Sequence, residues 1–212
     1  MKISVSFLSD KYDKIDILKK INSTDADYIH VDVMDGKFVD NVNMPYEEAI
    51  KLMPYFTKKL DVHLMVSDLD KYINEYIKLK PEFITFHVES TEDVMKYIRL
   101  VKNNNIKCGL SINPETKIDE VLKYLPFIDL ILIMSVEPGK GGQKFIPDVL
   151  EKVAILKNII NSNNYDCLIS IDGGINEKTY LSCVHAKVDM MVSGSFLHGD
   201  DMQQKIDLLR KN

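Results

Sequence analysis

A chain of 212 residues suits one large domain and falls near the short end of the range for an eight-unit α/β barrel. Its 45% hydrophobic and 28% charged residues are ordinary globular values, which exclude a chain disordered throughout. The net charge of -5 is spread as interspersed signs with no Lys/Arg run to neutralise a nucleic-acid backbone, which argues against nucleic acid as a partner.

The opening residues, MKISVSFLSDKYDK, turn polar too early for a signal peptide, and no apolar run reaches the ~18 residues of a membrane helix. A cytoplasmic protein without a membrane partner is expected. ISVSFL is the first strand-like run, and Ile15, Ile17, Leu18 and Ile21 follow at helical spacing with one apolar face. YIHVDV, LDVHLM, FITFHV, KCGLSI and LILIMSV are the next five strand candidates. Val149, Val153, Leu156 and Ile160 then mark another helix, before CLISID and MMVSG complete eight strand-like runs. Cys108, Cys167 and Cys183 form no CxxC pair, so reduced thiols are expected, with Cys108 and Cys167 packed in apolar runs.

Strands alternating with helices imply right-handed crossovers and a parallel sheet, and eight units in this length predict a (β/α)₈ barrel of the TIM type, a single domain over residues 1–212. An open doubly wound sheet satisfies the same alternation. Polar residues distinguish the two, because a barrel gathers them at the carboxyl ends of many strands, whereas an open sheet concentrates them at a switch point. Here His30 and Asp32 end the second run, His63 the third, His87 and Glu89 the fourth, Asn113 the fifth, Asp172 the seventh, and Gly194 with Ser195 the eighth.

His30 and Asp32 are two apart in a strand, so both leave the same face, opposite Ile29, Val31 and Val33. His63 and Met65 repeat that parity on the next strand. A lone strand-end histidine is more often a hydrogen-bonded core residue than a ligand. Two imidazoles with Asp32 and Asp172 converging from three strands instead suit Zn²⁺, or a similar divalent ion such as Fe²⁺, Co²⁺ or Mn²⁺. Gly173 and Gly174 in the DGG run, and the SGS run ending in Gly194 and Ser195, leave backbone open to a ligand where many barrels hold phosphate. The loop EPGKGGQKF, Glu137 to Phe145, carries Gly139, Gly141 and Gly142, reads as able to close over substrate, and lacks the P-loop pattern. Met34, Met65 and Met134 fall at or near strand ends, where methionine commonly fills a core.

Taken together, HVDVMDGKFVDN, DVHLMV, MSVEPGKGGQKFIP, IDGGI and SGS, in that order, resemble the ribulose-phosphate 3-epimerase family, and Ser6 resembles its amino-terminal substrate-contacting serine. The resemblance implies a (β/α)₈ barrel that interconverts D-ribulose 5-phosphate and D-xylulose 5-phosphate through a cis-enediolate. It implies His30, Asp32, His63 and Asp172 as ligands of one divalent metal ion, foremost Zn²⁺, and Asp32 with Asp172 as the acid/base pair. Gly141, Gly142, Gly174, Gly194 and Ser195 would hold the phosphate, Met34, Met65 and Met134 would line the reacting carbons, and Ser6, His63, Gly139 and Gly173 are further substrate contacts. A homo-oligomer is also expected.

Several positions depart from the family pattern. Lys140 stands where an aromatic residue is usual, Asp40 where proline is, Lys37 where histidine is commoner, and the glycine before Pro45 is missing. These departures border the substrate and leave D-allulose 6-phosphate 3-epimerase as an alternative. A sugar-phosphate decarboxylase or aldolase with a DxKxxD pattern is opposed by Met34 at the lysine position. A non-catalytic phosphosugar-binding barrel is the alternative of another class.

Overall fold

A computed structural model of the protein describes residues 1–8 and 12–211. Its strands are β1 (Lys2–Ser6), β2 (Tyr28–Asp35), β3 (Val42–Asn43), β4 (Lys59–Met65), β5 (Phe83–His87), β6 (Lys107–Ile112), β7 (Leu130–Met134), β8 (Leu168–Asp172) and β9 (Met190–Ser193). The α-helices among the described residues are α1 (Lys14–Asn22), α2 (Tyr46–Leu52), α3 (Leu69–Tyr76), α4 (Val94–Lys102), α5 (Asp119–Leu122), α6 (Val149–Asn163), α7 (Tyr180–His185) and α8 (Met202–Leu209). None of them is long and apolar enough to cross a membrane.

Parallel pairing runs β1-β9-β8-β7-β6-β5-β4-β2, and β1 pairs back onto β2 with Ser4, Val5 and Ser6 opposite Tyr28, Ile29 and His30. That last pairing closes the sheet into an eight-stranded barrel and removes the open-sheet alternative. The eight strand-like runs of the sequence are the eight barrel strands, with ends differing by a residue or two. Glu89 lies just beyond its strand, in a 3₁₀ turn at Val88–Ser90. The strand without a sequence signal is β3, whose two residues pair antiparallel with Met34 and Asp35. Two residues are too few to show a period.

Strand parity sorts the side chains. Ile3, Val5, Ile29, Val31, Val33, Val62, Leu64, Ile84, Phe86, Leu110, Ile131, Ile133, Ile169 and Ile171 face outward into one core shared with the helices. Ile17, Leu18 and Ile21 of α1, and Val149, Val153, Leu156 and Ile160 of α6, are the buried stripes of the opposing layer. Each such side chain removed from water contributes about 1.5–3 kcal/mol before ordering costs. Asp13, Asp68 and Asp93 cap α1, α3 and α4 by accepting from backbone N–H groups two or three residues on, which fixes where those helices start. Cys108, Cys167 and Cys183 are buried free thiols.

Inside the barrel a separate apolar cluster, including Tyr28, Phe83, Leu130, Leu132, Met190 and Val192, plugs the amino-terminal half. Farther along the same strands the buried residues turn polar: Ser4, His30, Asp32, Asp61, His63, Thr85 and His87. A packed floor beneath a polar upper interior is what places chemistry at the carboxyl ends of the strands.

Candidate active site

His30, Asp32 and Met34 project inward from β2, His63 and Met65 from the adjoining β4, and Asp172 ends β8. The register sets Asp32 beside His63, Met34 beside Met65, and Met134 beside Asp172. One donor atom from each of His30, Asp32, His63 and Asp172 lies within 4.8 Å of the other three. His30 Nε2 is 3.4 Å from Asp32 Oδ1 and 3.6 Å from Asp172 Oδ2, and His63 Nδ1 is 3.6 Å and 3.8 Å from the same two oxygens.

The outer nitrogens of both rings are engaged. His30 Nδ1 lies 2.7 Å from Asp61 Oδ2, which also accepts from Ser4 Oγ at 2.8 Å, and His63 Nε2 lies 2.8 Å from His87 Nε2. The inner nitrogens, His30 Nε2 and His63 Nδ1, are buried without a hydrogen-bond partner among the described residues. Two orphaned lone-pair donors facing two carboxylates are what a cation requires and what a hydrogen-bonded core avoids. Donors around a tetrahedral ion with bonds of ~2.0–2.2 Å stand about 3.3–3.6 Å apart, within a few tenths of an ångström of the four histidine–carboxylate separations. The residues fit a divalent ion.

The electrostatics agree. Burial favours the neutral forms, yet Asp61 and Asp32 hold the His30 imidazole well above its ordinary range. Asp32 is buried too, but the charges of His30 and His63, whose ring nitrogens stand 3.4 Å and 3.6 Å from its Oδ1, carry its carboxyl far below the usual range, and Ser6 Oγ donates to its Oδ2 at 2.6 Å. Burial pushes Asp172 up to about 7, with the charges of Asp32 and Asp61 adding to the effect and His30 opposing it. A raised imidazole and a raised carboxyl side by side mark a centre with too little positive charge.

The surrounding loops come from strand ends. Asn43 Nδ2, on the unforeseen β3, donates to the Asp32 carbonyl at 2.6 Å, and His198 Nε2 stands 2.9 Å from the Ser6 carbonyl. Asn41 Nδ2 donates to Gly139 O at 2.7 Å, joining the loop after β2 to the Gly-rich loop after β7. Gly139 is buried, whereas Lys140, Gly141 and Gly142 are exposed. Gly173 adopts φ +119°, and a Cβ there would meet Val136 Cγ2 at 2.4 Å. Gly174 has φ +65°, and its Cβ would stand 2.6 Å from the Phe145 backbone nitrogen. The loops after β7 and β8 pack too closely at these two positions for a side chain. Gly194 lies beside Ser6 less tightly, at 3.3 Å for a Cβ, while Ser195 is exposed. Met34, Met65 and Met134 are buried and point inward. His30, Asp32, His63 and Asp172, with Met34, Met65 and Met134 beside them, therefore gather toward the carboxyl ends of β2, β4, β7 and β8. Asp61 was missed, although it shares the inward parity of His63 and Met65, and His87 and Glu89 were noted without a role.

The profile of the "Ribulose-phosphate 3 epimerase family" matches residues 2–198. A ribulose-phosphate 3-epimerase of Helicobacter pylori is 38% identical over 198 residues, covering 93% of this chain and 90% of that protein. Those of Methanocaldococcus jannaschii and Bacillus subtilis are 36% and 33% identical, covering 100% and 97% of this chain and 90% and 95% of theirs. Among solved structures, 3-hexulose-6-phosphate synthase from Salmonella typhimurium superposes with a TM-score of 0.65 at 15% identity, covering 99% of this chain and 96% of that one. N-(5'-phosphoribosyl)anthranilate isomerase from Pyrococcus furiosus gives 0.62 at 11% identity, covering 99% and 96%. At such identities the two structures speak to the barrel fold alone.

Proposed function

Because the chain belongs to the ribulose-phosphate 3-epimerase family, we propose that it is a single catalytic domain that inverts carbon 3 between D-ribulose 5-phosphate and D-xylulose 5-phosphate, with Asp32 and Asp172 as its acid/base pair. The observation that carries this reading is the convergence of two carboxylates, from β2 and β8, on the point toward which two unpartnered imidazole nitrogens are turned. His30, Asp32, His63 and Asp172 are the residues that would hold a divalent ion, Zn²⁺ foremost, with Fe²⁺, Co²⁺ and Mn²⁺ suited to the same donors. Such an ion supplies Lewis-acid stabilisation of negative charge developing on the substrate oxygens.

The protein supplies the proton transfers. A hydrogen on carbon 3, beside the ketone, is removed by one carboxylate, and the other carboxyl group delivers a proton to the opposite face. Two ionised carboxylates side by side in a buried site repel, so one of them holds a proton at rest. Before an ion binds, burial favours that proton on Asp172, while the pull of His30 favours the ionised form of Asp32, with Ser6 steadying its Oδ2. The roles exchange in the reverse direction. Strands β1 and β9 separate β2 from β8, so a carbon held between the two carboxylates has one on either side.

The backbone at Gly141, Gly142, Gly174, Gly194 and Ser195 is assigned to the phosphate, where N–H groups without obstructing side chains approach an anion. Met34, Met65 and Met134 exclude water from the reacting carbons, and Ser6, His63, Gly139 and Gly173 complete the substrate contacts. The homo-oligomer belongs to the same reading; sedimentation of a monomer at micromolar concentration removes it.

Incubation in D₂O with ribulose 5-phosphate and, separately, allulose 6-phosphate tests the function. Deuterium entering carbon 3 of the pentulose faster than that of the hexulose is expected. A reversed rate ratio moves the protein to the hexulose phosphate, and exchange with neither ketose in metal-supplemented protein sinks the epimerase reading in favour of a binding barrel.

A further inference from the structure

His30 and His63 turn different nitrogens toward the centre, Nε2 in one and Nδ1 in the other, and each therefore needs its proton fixed on the nitrogen that faces away. For His30 the means is direct, since the buried Asp61 carboxylate accepts from Nδ1. For His63 no carboxylate among the described residues touches the outer nitrogen. Its Nε2 meets His87 Nε2 at 2.8 Å, the two rings lying nearly parallel at 24°, and both side chains are fully buried. His87 Nδ1 in turn faces Glu89 Oε2 at 3.3 Å.

Proton counting along this row leaves one arrangement. Only one hydrogen fits between the two facing Nε2 atoms. If His63 Nδ1 is to present a lone pair inward, its neutral ring carries that hydrogen on Nε2 and donates it to His87 Nε2. His87 must then be protonated on Nδ1, which faces Glu89 Oε2 at 3.3 Å. The carboxylate is itself anchored, because its other oxygen, Oε1, accepts from the Asn113 backbone N–H at 2.8 Å and from Thr116 Oγ1. Lys152 Nζ, reaching in from α6, donates to the Thr116 carbonyl at 2.7 Å and holds that loop. Phe38 closes the other side of His87, with ring centroids 4.8 Å apart.

We infer that His87 and Glu89 form a two-residue positioning arm that fixes the tautomer and ring orientation of His63, so that metal affinity depends on a carboxylate just beyond the end of β5 and on the loop after β6 that anchors it. The inference rests on the metal-binding reading of His30, Asp32, His63 and Asp172. The arm touches neither the ion nor the substrate. It acts through His63, as Asp61 does through His30, but with one more ring in the line.

Zn²⁺ affinity measured by competition with a chromophoric chelator tests the arm, with the visible spectrum of the Co²⁺-substituted protein reporting ligand geometry. Glu89→Gln and His87→Phe are expected to weaken Zn²⁺ binding by about 10- to 100-fold and to shift the Co²⁺ bands. Thr116→Val, which removes one anchor of Glu89, is expected to fall between them and wild type, and Glu92→Gln, which deletes an exposed charge on the same segment, to bind as wild type does. Long-range ¹H–¹⁵N correlation spectra read the tautomers independently of activity: His63 protonated on Nε2 and His87 on Nδ1 in wild type, with the His63 preference weakened in Glu89→Gln. Binding within twofold of wild type in both Glu89→Gln and His87→Phe, or a His63 protonated on Nδ1, overturns the arm while leaving the centre standing. Wild-type protein that takes up neither Zn²⁺ nor Co²⁺ overturns the metal centre and this role with it.

Discussion

Replacing Asp172 by asparagine separates the two proton transfers. The substitution conserves volume and leaves a carbonyl oxygen able to take the place of Oδ2, 3.6 Å from His30 Nε2 and 3.8 Å from His63 Nδ1, so the barrel end keeps its shape. What disappears is a group able to accept and return a proton. General acid–base groups of this kind are worth ~10²–10⁴ in rate, or roughly 3–5 kcal/mol of barrier. Among the described residues Asp172 shares the centre with one other carboxylate, Asp32, which puts the expected loss at the upper end, about 10⁴-fold in epimerisation. Asp32 remains, so the epimer whose carbon 3 hydrogen faces Asp32 should still exchange that hydrogen with D₂O without inverting, while the other epimer stays inert. Asp32→Asn should show the mirror image. The assay is ¹H NMR of each ketose phosphate separately in D₂O, with thermal unfolding and metal content measured on the same samples. Epimerisation within tenfold of wild type by Asp172→Asn, or exchange of both epimers by that variant, refutes the two-base assignment.

Gly173→Ala should destabilise the protein by about 2–4 kcal/mol in urea unfolding, because φ +119° is open only to glycine and the added methyl would meet Val136 Cγ2 at 2.4 Å; an unchanged midpoint contradicts that geometry. Burial pushes the thiols of Cys167 and Cys183 up to about 12 and that of Cys108 higher still, so an aromatic disulfide reagent at pH 8 should label none of them in the native state and all three in denaturant. Burial opposes ionisation of Glu89, yet the hydrogen bonds from His87, Asn113 and Thr116 prevail and hold its carboxyl at about 2. Its folded value lies below the unfolded one, so its contribution, of order 3 kcal/mol at most, is complete above about pH 4.5 and is lost as pH falls toward 2. The stability gap between wild type and Glu89→Gln should close over that window, and a gap independent of pH counts against it.

Much of the site was legible because a strand alternates its side chains. In YIHVDV, the parity that sends Ile29, Val31 and Val33 to the helices also sends His30 and Asp32 inward, and no tertiary knowledge is needed to see it. The same rule could have found Asp61, two residues before His63, but an inward carboxylate has no evident purpose until its partner on β2 is known. His87 and Glu89 show the harder case. Their polarity at a strand end was visible, whereas the identity of the ring nitrogen each one faces depends on the spacing of β4 and β5 and on side-chain rotation.

The sequence by itself determined the eight strand-like units, the outward and inward faces, and the residue types gathered at the carboxyl ends, because these follow from local periodicity and chain order. Only the tertiary structure decided that β1 closes onto β2, that β3 steadies the Asp32 backbone, and that His30 Nε2 and His63 Nδ1 are the nitrogens left for a cation. Those outcomes are set by hydrogen bonds between residues on different strands, 11 to 31 positions apart in the chain, and no local pattern in the sequence encodes them.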